Sequence, residues 1–264
     1  MRSLKRFVLF VWNSLVHLVL KIDNSLSEYS LEKRVKTSFD TAGGIGKQTL
    51  KSLFPATGPQ QIIEIGAHKG VDTEEFAVLF PGCNILSFEA DPNIFSYAAK
   101  KLIKYQNVRI NPFALSEGLS LTLFNVSSGA GDGSGSILKP EKHLTDHPEI
   151  RFHEQDRRVV PVATLDDVLA LSNEIGHIDL IWIDVQGAEL MVFRGASSAL
   201  KRTNYIYAEV STFPSYRGGV SYSDLKAFPE ESGFEVEREF LPPEWNGDGN
   251  VLFKRTLEDN LNHV

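Results

Sequence analysis

Short apolar runs alternate with longer amphipathic stretches along the chain from residue 61 onward. The apolar runs that predict strands are residues 61–66, 84–89, 108–115, 120–126, 178–185, 205–210, 235–240 and 250–254. The stretches that predict helices are residues 72–80, 92–105, 164–172, 187–200 and 222–232, the last interrupted at Pro229. Strands and helices in this order predict an α/β fold with a doubly wound, mainly parallel sheet and right-handed crossovers. The last two strands predict an antiparallel pair.

The runs differ in the place that they predict within the sheet. Residues 178–185 are almost continuously apolar, which predicts the most central strand. Residues 120–126 predict an extra strand paired beside the strand at 108–115. The glycine-rich residues 127–137 (SSGAGDGSGSI) predict an irregular loop, and the polar residues 139–158 predict no clear element.

The first 36 residues differ from the rest of the chain in charge and hydropathy. They carry seven basic and three acidic side chains, although the whole chain has a net charge of −7. Residues 7–20 are the most apolar run, but as a helix they would span about 21 Å, less than the ~30 Å hydrocarbon core of a bilayer. Apolar side chains recur at helical spacing across residues 4–22, which predicts an amphipathic helix. This helix packs on its own domain or on a second copy of the chain, or it lies on a membrane with its basic residues toward anionic lipid.

Composition limits the classes of partner and compartment. The acidic chain does not match nucleic acid. The single cysteine, Cys83, excludes an internal disulfide and a cysteine-based zinc site and fits a reducing compartment. We therefore expect a cytoplasmic protein, peripheral to the inner face of a membrane if the N-terminal helix binds lipid. We divide the chain into an N-terminal helical extension with a glycine-rich hinge at 1–47, an α/β domain at 48–255 and a tail at 256–264.

The predicted first strand ends in a turn that contains two glycines, Gly66 and Gly70, in the segment EIGAHKG. Ligands of open α/β sheets bind at the carboxyl ends of the strands, so this turn is a candidate site. Gly66 allows a sharp turn beneath a ligand, and Gly70 allows the next helix to approach closely. A dinucleotide site needs GxGxxG to seat a pyrophosphate, whereas this chain has ExGxxxG. The acidic Glu64 disfavours a pyrophosphate and suits the ammonium group of an amino-acid ligand.

Acidic side chains also end the other predicted strands. Glu89 stands roughly twenty residues after Gly66, where an acid that accepts both hydroxyls of an adenosine ribose is expected. Asp184 and Glu209 follow apolar runs, and an acid at that position is costly unless it is paired, hydrated or functional. Glu189 either complements a helix dipole or joins Asp184 and Glu209 in a functional cluster.

Several chemical roles remain open for these side chains. Asp184 is the first choice for a general base, and with Glu189 and Glu209 it offers oxygen ligands that suit Mg²⁺ or Ca²⁺, although the spacing alone does not establish a metal site. A histidine in the polar stretch lines an acceptor pocket, acts as the base or lies at the surface. The histidines of this stretch are His143, His147 and His153.

An ordered series of segments resembles the FkbM family of S-adenosylmethionine-dependent methyltransferases. The series is EIGAHKG, SFEADP, NPFALSE, VATLDDV, IDVQGAE and YAEVS, within residues 61–254. The resemblance implies the seven-stranded, Rossmann-like class I methyltransferase fold, with S-adenosyl-L-methionine as the cofactor. It implies that the methionine end of the cofactor contacts Glu64, Gly66 and Gly70, that the ribose contacts Glu89, and that the adenine contacts Ala114–Glu117, which include Ser116. Further cofactor contacts are expected at Ala67, His68, Ala90 and Asp184. The family commonly has Glu where this chain has Gln186, which argues against residue 186 as a base or metal ligand.

These observations predict an O-methyltransferase. We expect it to act on a hydroxyl of a small metabolite, a glycan or a lipid-linked sugar, with Asp184 and Glu209 as the catalytic residues. The glycine-rich loop at 127–136 is one candidate lid, and residues 213–222, which contain Tyr216, Arg217 and Tyr222, are another. The alternative is a non-catalytic scaffold that binds the cofactor or associates with a membrane and keeps the same fold.

Overall fold

The computed structural model describes residues 44–172, 176–241 and 247–256. The predicted amphipathic helix and its contacts through residues 4–22 lie outside these ranges, as does the tail after Thr256. Within the described ranges, no helix has both the length and the apolar character needed to cross a membrane.

The described chain contains fourteen strands and eight α-helices. The strands are β1 (Gln61–Ile65), β2 (Asn84–Phe88), β3 (Val108–Asn111), β4 (Ala114–Leu115), β5 (Ser120–Phe124), β6 (Ser127–Gly129), β7 (Lys139–Pro140), β8 (Ile150–Phe152), β9 (Arg158–Ala163), β10 (Ile178–Ile183), β11 (Thr203–Ser211), β12 (Tyr216–Arg217), β13 (Phe234–Phe240) and β14 (Asp248–Arg255). The helices are α1 (Lys47–Ser52), α2 (Val71–Leu79), α3 (Pro92–Leu102), α4 (His143–Asp146), α5 (Leu165–Ser172), α6 (Glu189–Arg194), α7 (Ser197–Leu200) and α8 (Tyr222–Glu231).

Seven strands form the main sheet in the order β13-β14-β11-β10-β1-β2-β3. Neighbouring strands from β11 to β3 run parallel, and β14 runs antiparallel to both β11 and β13. The predicted doubly wound α/β sheet with a closing antiparallel pair is therefore confirmed, and the apolar β10 is the central strand as predicted. All five parallel strands end at the same edge of the sheet, where their following loops meet.

Both faces of the sheet are covered by apolar side chains, because successive residues of a strand point to opposite faces. In β1, Ile62 packs on one face with Trp182 of β10. Ile63 and Ile65 pack on the other face with Ile181. This arrangement leaves the loops after the strands as the place where polar side chains collect.

The helix starts follow the sequence closely. The Asp91 side chain accepts the backbone N–H groups of Asn93 and Ile94 at the start of α3, and Thr164 accepts the N–H of Asp167 at the start of α5. Each side chain satisfies a donor that the first turn of a helix leaves free.

The prediction that residues 120–126 pair beside the third strand was wrong. The third run ends as β3 at Asn111 and continues as the separate strand β4, which pairs with β9. Strand β5 pairs antiparallel with β9, in a second sheet of order β4-β9-β5. The sequence pattern missed β9 because it contains Pro161, which is unusual inside a strand.

Three other predicted elements also differ from the structure. Residues 187–200 form α6 and α7 instead of one helix, and the break lies at Gly195, which packs against the backbone of Ser116. Helix α8 continues through Pro229 and ends two residues later, so the predicted interruption was wrong. Part of the predicted loop at 127–137 forms β6, which pairs with β8.

Candidate functional site

The loop after β1 is in direct contact with the loop after the neighbouring strand β10. Gly66 has a φ of +95°, and a Cβ built on it would overlap the backbone oxygen of Asp184, which follows β10. Gly70 has a φ of +64° at the start of α2, and its Cβ would lie 2.7 Å from Leu102 of α3. Both positions therefore require glycine for its conformation and for close packing.

Glu89 connects the turn after β1 to the turn after β2. Its Oε2 accepts the backbone N–H of His68 at 2.7 Å, and its Oε1 accepts the N–H of Asp91 at 2.7 Å. Burial raises the pKa of Glu89 to about 7, although these two N–H groups act in the opposite direction. A carboxylate has about four acceptor positions, so each oxygen can accept another hydrogen bond.

Glu64 lies beneath the same turn, on the sheet face covered by α2. Its Oε2 accepts hydrogen bonds from the hydroxyls of Thr73 at 2.5 Å and Ser87 at 2.6 Å. Burial raises its pKa to about 7, and the two hydroxyls oppose that shift. Thr73 and Ser87 were not predicted as partners of Glu64, because they come from other elements, α2 and β2.

The residues predicted for the adenine separate into two groups. Ala114 is buried in a small apolar cluster with Phe124, and Ala90 packs against the same cluster just after Glu89. Ser116 instead donates its backbone N–H to Ala163, and its carbonyl packs against Gly195. The structure thus brings Ala90 and Ala114 together, whereas Ser116 lies toward α6.

Glu117 lies in a different environment from the predicted adenine position. It forms an exposed ion pair with Arg194 of α6 at 3.4 Å. Its carboxylate therefore already has a cationic partner at the protein surface.

Asp184 and Glu209 are held together by the side chain of Gln186. The Gln186 Nε2 donates to Asp184 Oδ1 at 2.7 Å and to Glu209 Oε2 at 2.6 Å. Burial raises the pKa of both carboxyl groups, and the charge of Asp184 raises that of Glu209 further. The two carboxyl groups influence each other, so ionisation of one disfavours ionisation of the other.

Glu189 fixes the loop from which Gln186 projects. Its Oε1 accepts the backbone N–H groups of Val185 at 3.1 Å and Gly187 at 3.2 Å, and burial raises its pKa to about 7. Gln186 and Gly187 are consecutive residues with positive φ, +56° and +92°. Sequence reasoning missed Gln186 as a bridging side chain, although a Gln-Gly pair after a buried strand is a signal for such a turn.

The glycine-rich segment at residues 127–136, here called the strap, crosses this edge of the sheet. Asp132 forms ion pairs with His68 Nε2 at 3.2 Å and Lys69 Nζ at 2.5 Å. The neighbouring His68 ring, and then the Lys69 ammonium, hold the pKa of Asp132 well below its usual range. The Tyr216 hydroxyl donates to the backbone oxygen of Ser134 at 2.6 Å. The strap is therefore fastened to the turn after β1 at one point and to β12 at another.

The second predicted lid contributes one of its three named side chains to the site. Tyr216 is buried, and its hydroxyl lies 3.4 Å from Gln186 Oε1. Arg217 forms an exposed ion pair with Glu141, and the Tyr222 hydroxyl donates to Glu239. These two side chains lie away from the Asp184 pair.

A cavity of about 30 Å³ lies next to Gln186 and Glu209. We call it the acidic cavity, and the polar side chains that line it include His143, Gln186, Glu189, Glu209, Tyr216 and Asp248. His143 is only 6% exposed, whereas His147 and His153 lie at the surface. Of the three histidines left open by the sequence, the structure places His143 in the site.

Metal ligation was the alternative for the acidic cluster. Among residues 44–172, 176–241 and 247–256, no group of three or more His, Cys, Asp or Glu side chains is arranged to hold a metal ion. The space between Asp184 and Glu209 is bridged by the Gln186 amide.

Comparison with known proteins identifies the family. Residues 64–236 match the model of the methyltransferase FkbM domain. The chain is 32% identical over 241 residues to the 2-O-methyltransferase NoeI of Sinorhizobium fredii (strain NBRC 101917 / NGR234), which covers 86% of this chain and 94% of that protein.

Solved structures of methyltransferases are more distant. The N-terminal domain of EvdMO1 with SAH bound is 17% identical, with 79% of each chain covered and a TM-score of 0.45. A putative O-methyltransferase from Klebsiella pneumoniae is 16% identical, with 79% of each chain covered and a TM-score of 0.46. Scores below 0.5 add nothing to the assignment, which rests on the family match and the 32% identical relative. This chain belongs to the FkbM family of S-adenosylmethionine-dependent methyltransferases.

Proposed function

We propose that this protein transfers the methyl group of S-adenosylmethionine to a hydroxyl of a small metabolite, a glycan or a lipid-linked sugar. The observation that carries the proposal is the position of Asp184. Its backbone contacts Gly66 of the turn after β1, and its side chain shares the Gln186 amide with Glu209 beside the acidic cavity. One residue thus joins the proposed cofactor side to the proposed acceptor side.

The residues of the first side fit an adenosyl amino acid. Both oxygens of Glu89 retain acceptor capacity for the ribose hydroxyls, and Ala90 and Ala114 present the apolar surface that an adenine ring needs. Glu64, Gly66, Ala67, His68 and Gly70 are the residues that we assign to the methionine end. The acidic groups at this edge favour a positively charged ligand.

The second side supplies acid–base chemistry. The bound cofactor would provide a methyl group on a positively charged sulfur, which makes that methyl electrophilic. A hydroxyl becomes a good nucleophile as its proton leaves, and a positioned base accelerates such a step by roughly 10² to 10⁴. We assign the base to the Asp184–Glu209 pair, whose raised pKa values bring proton uptake closer to neutral pH. The proton of the hydroxyl passes to the ionised member of the pair.

The relatives support the choice of a hydroxyl acceptor. The 32% identical relative is named a 2-O-methyltransferase, and the match covers 94% of its length. A non-catalytic scaffold has less support, since the carboxylate pair and its bridging amide are all in place.

Two measurements test the proposal. Calorimetry with the full chain should show binding of S-adenosylhomocysteine and none of NAD. Incubation with isotope-labelled S-adenosylmethionine and a panel of hydroxylated acceptors should give a product whose mass increases by one methyl group, and Asp184→Asn should lower turnover while cofactor affinity is retained. A folded protein that does not bind S-adenosylhomocysteine would exclude the proposed function, and unchanged turnover in Asp184→Asn would exclude the assigned base.

A further inference from the structure

The acidic cavity combines several carboxyl groups with a buried polar atom that has no hydrogen-bond partner. Glu189, Glu209 and Asp248 contribute carboxyl groups to its wall, and Tyr216 and His143 contribute neutral polar groups. Among the described residues that line it there is no lysine or arginine. A ligand in this cavity therefore meets carboxyl groups and no cation, so an anionic ligand would find no opposite charge there.

His143 provides an independent indication that the cavity receives a ligand. The residue is only 6% exposed, and its Nδ1 has no hydrogen-bond partner within the described chain. A buried polar atom without a partner is costly, so such atoms are uncommon in native structures. A ligand hydroxyl that reaches this nitrogen would remove the cost.

The ring of His143 is held in place by its neighbours. It contacts the rings of Tyr216, Phe152 and His147, with centroid separations of 5.4, 5.3 and 5.1 Å. Its backbone N–H donates to the oxygen of Ser215, which fixes α4 against the segment before β12. The imidazole is therefore preorganised at the cavity wall.

The charge state of His143 suits a neutral ligand. Burial lowers its pKa, and the nearby His147 has the same effect, whereas its own backbone, Asp248 and Glu149 act in the opposite direction. A neutral imidazole has one nitrogen that donates and one that accepts, which matches a hydroxyl group. It does not offer the positive charge that would attract a phosphate or a carboxylate.

The size of the cavity limits what enters it. About 30 Å³ exceeds the roughly 10–15 Å³ that a cavity needs to hold one water, so the cavity has room for a small polar group such as a hydroxyl. The rest of the acceptor would lie outside the cavity mouth.

We propose that the acidic cavity binds one hydroxyl of a polyhydroxylated acceptor that carries no negative charge, and that His143 positions this acceptor through a hydrogen bond. The inference rests on the proposed function and narrows its acceptor to uncharged or cationic polyols such as neutral or amino sugars. Sugar phosphates and uronic acids are disfavoured, because the wall offers carboxyl groups and no lysine or arginine to pair with their charge.

Binding of defined sugar pools tests this inference. The full chain, saturated with S-adenosylhomocysteine, is mixed with a pool of neutral methyl glycosides of common hexoses, deoxyhexoses and pentoses, and contacts are read by saturation-transfer NMR. A second pool contains the matching uronic acids and hexose phosphates. We expect signals from members of the neutral pool and at least tenfold weaker binding for their anionic counterparts. Equal or tighter binding of the anionic pool, or no binding from the neutral pool, overturns the inference.

Variants of His143 separate recognition from structure. His143→Phe keeps an aromatic ring among Tyr216, Phe152 and His147 but removes the nitrogen, and His143→Asn keeps a polar atom near the position of Nδ1. We expect His143→Phe to weaken glycoside binding at least tenfold without lowering the melting temperature, and His143→Asn to retain part of the binding. The surface variant His153→Phe is the matched control and should bind as the wild type does. Unchanged glycoside binding in His143→Phe overturns the role of His143.

Calorimetry on the same preparations distinguishes the two proposals. Binding of S-adenosylhomocysteine together with failed glycoside binding excludes the acceptor inference and leaves the proposed function intact. Failure to bind S-adenosylhomocysteine excludes the proposed function itself.

Discussion

The α-carbon of Gly66 lies against the backbone carbonyl oxygen of Asp184, so closely that a Cβ at position 66 would overlap that oxygen. The contact joins the loop after β1 to the loop after β10, two neighbouring strands of the sheet. Gly66, which the sequence predicts to allow a sharp turn beneath a ligand, is thus also a packing position between two loops of the site.

We expect Gly66→Ala to destabilise the protein. The methyl group would collide with the Asp184 carbonyl, and the φ of +95° is unfavourable for alanine. The two effects together should lower the free energy of unfolding by about 3 kcal/mol, measured by urea denaturation. The control is Gly82→Ala, because nothing lies within 4 Å of a Cβ at that exposed glycine. A Gly66→Ala variant as stable as Gly82→Ala would contradict the packing argument.

Replacement of Gln186 by methionine tests the bridge between Asp184 and Glu209, the two carboxyl groups that we assign to the base. Methionine has similar length but no N–H, and the amide of Gln186 lowers the pKa of Asp184. Its loss should raise that pKa, so the rising limb of the pH–rate profile should move to higher pH and turnover at neutral pH should fall by roughly tenfold or more.

The same substitution at the exposed Gln155 is the matched control, and it should leave the pH–rate profile unchanged. A profile for Gln186→Met that coincides with that of the wild type would show that the bridge does not set the protonation of the pair.

Glu89 is the residue on which cofactor affinity should depend most. Glu89→Ala removes the acceptor assigned to the ribose and also releases the N–H groups of His68 and Asp91. We expect a loss of roughly 100-fold in the affinity for S-adenosylhomocysteine, about 3 kcal/mol, by calorimetry. Glu117→Ala is the comparison, since the structure pairs Glu117 with Arg194, and it should change affinity less than twofold. A similar loss of affinity in both variants would support the original prediction that Glu117 contacts the adenine.

Burial of Glu64 makes stability depend on pH. Its pKa is about 7 in the folded protein and 4.5 in the reference state, so the folded state holds more protons between these values. The contribution of this group to the free energy of unfolding is therefore fully present below pH 4.5 and is lost as the pH rises through 7. Glu64→Gln keeps an acceptor for Thr73 and Ser87 and removes the ionisation.

We expect the stability of Glu64→Gln relative to the wild type to increase between pH 5 and pH 8 by up to roughly 3 kcal/mol, the equivalent of the pKa difference. Urea denaturation at the two pH values measures it. The exposed Glu237→Gln on β13 should show no such change. A pH-independent difference between wild type and Glu64→Gln would mean that Glu64 stays ionised when buried.

The sequence predicted the main sheet and its helices well, because the strands are apolar and the residues that cap the helices lie next to the helix starts. The existence of β1, β2, β10 and β11 and the central place of β10 follow from hydropathy, whereas the position of β10 beside β1 was not predicted. The second sheet was not predictable in the same way, since β9 contains Pro161 and its pairing with β5 bridges a long polar stretch.

The site was predictable where one segment determines the geometry. Gly66, Gly70 and Glu89 stand in turns next to their strands, and their placement follows from the strand ends. The bridge from Gln186 to Glu209 and the burial of His143 depend on contacts between segments far apart in the chain, which spacing does not encode. Sequence alone named Asp184 and Glu209 but not the amide that joins them.

The strap touches both halves of the site within three residues of chain. Asp132 holds the turn after β1, and the carbonyl of Ser134 holds Tyr216 at the acidic cavity. Because only Gly133 separates these two residues, the strap has little slack between its two contacts. The position of Tyr216 at the acidic cavity is thus tied to that of the turn after β1 through a single short stretch of chain.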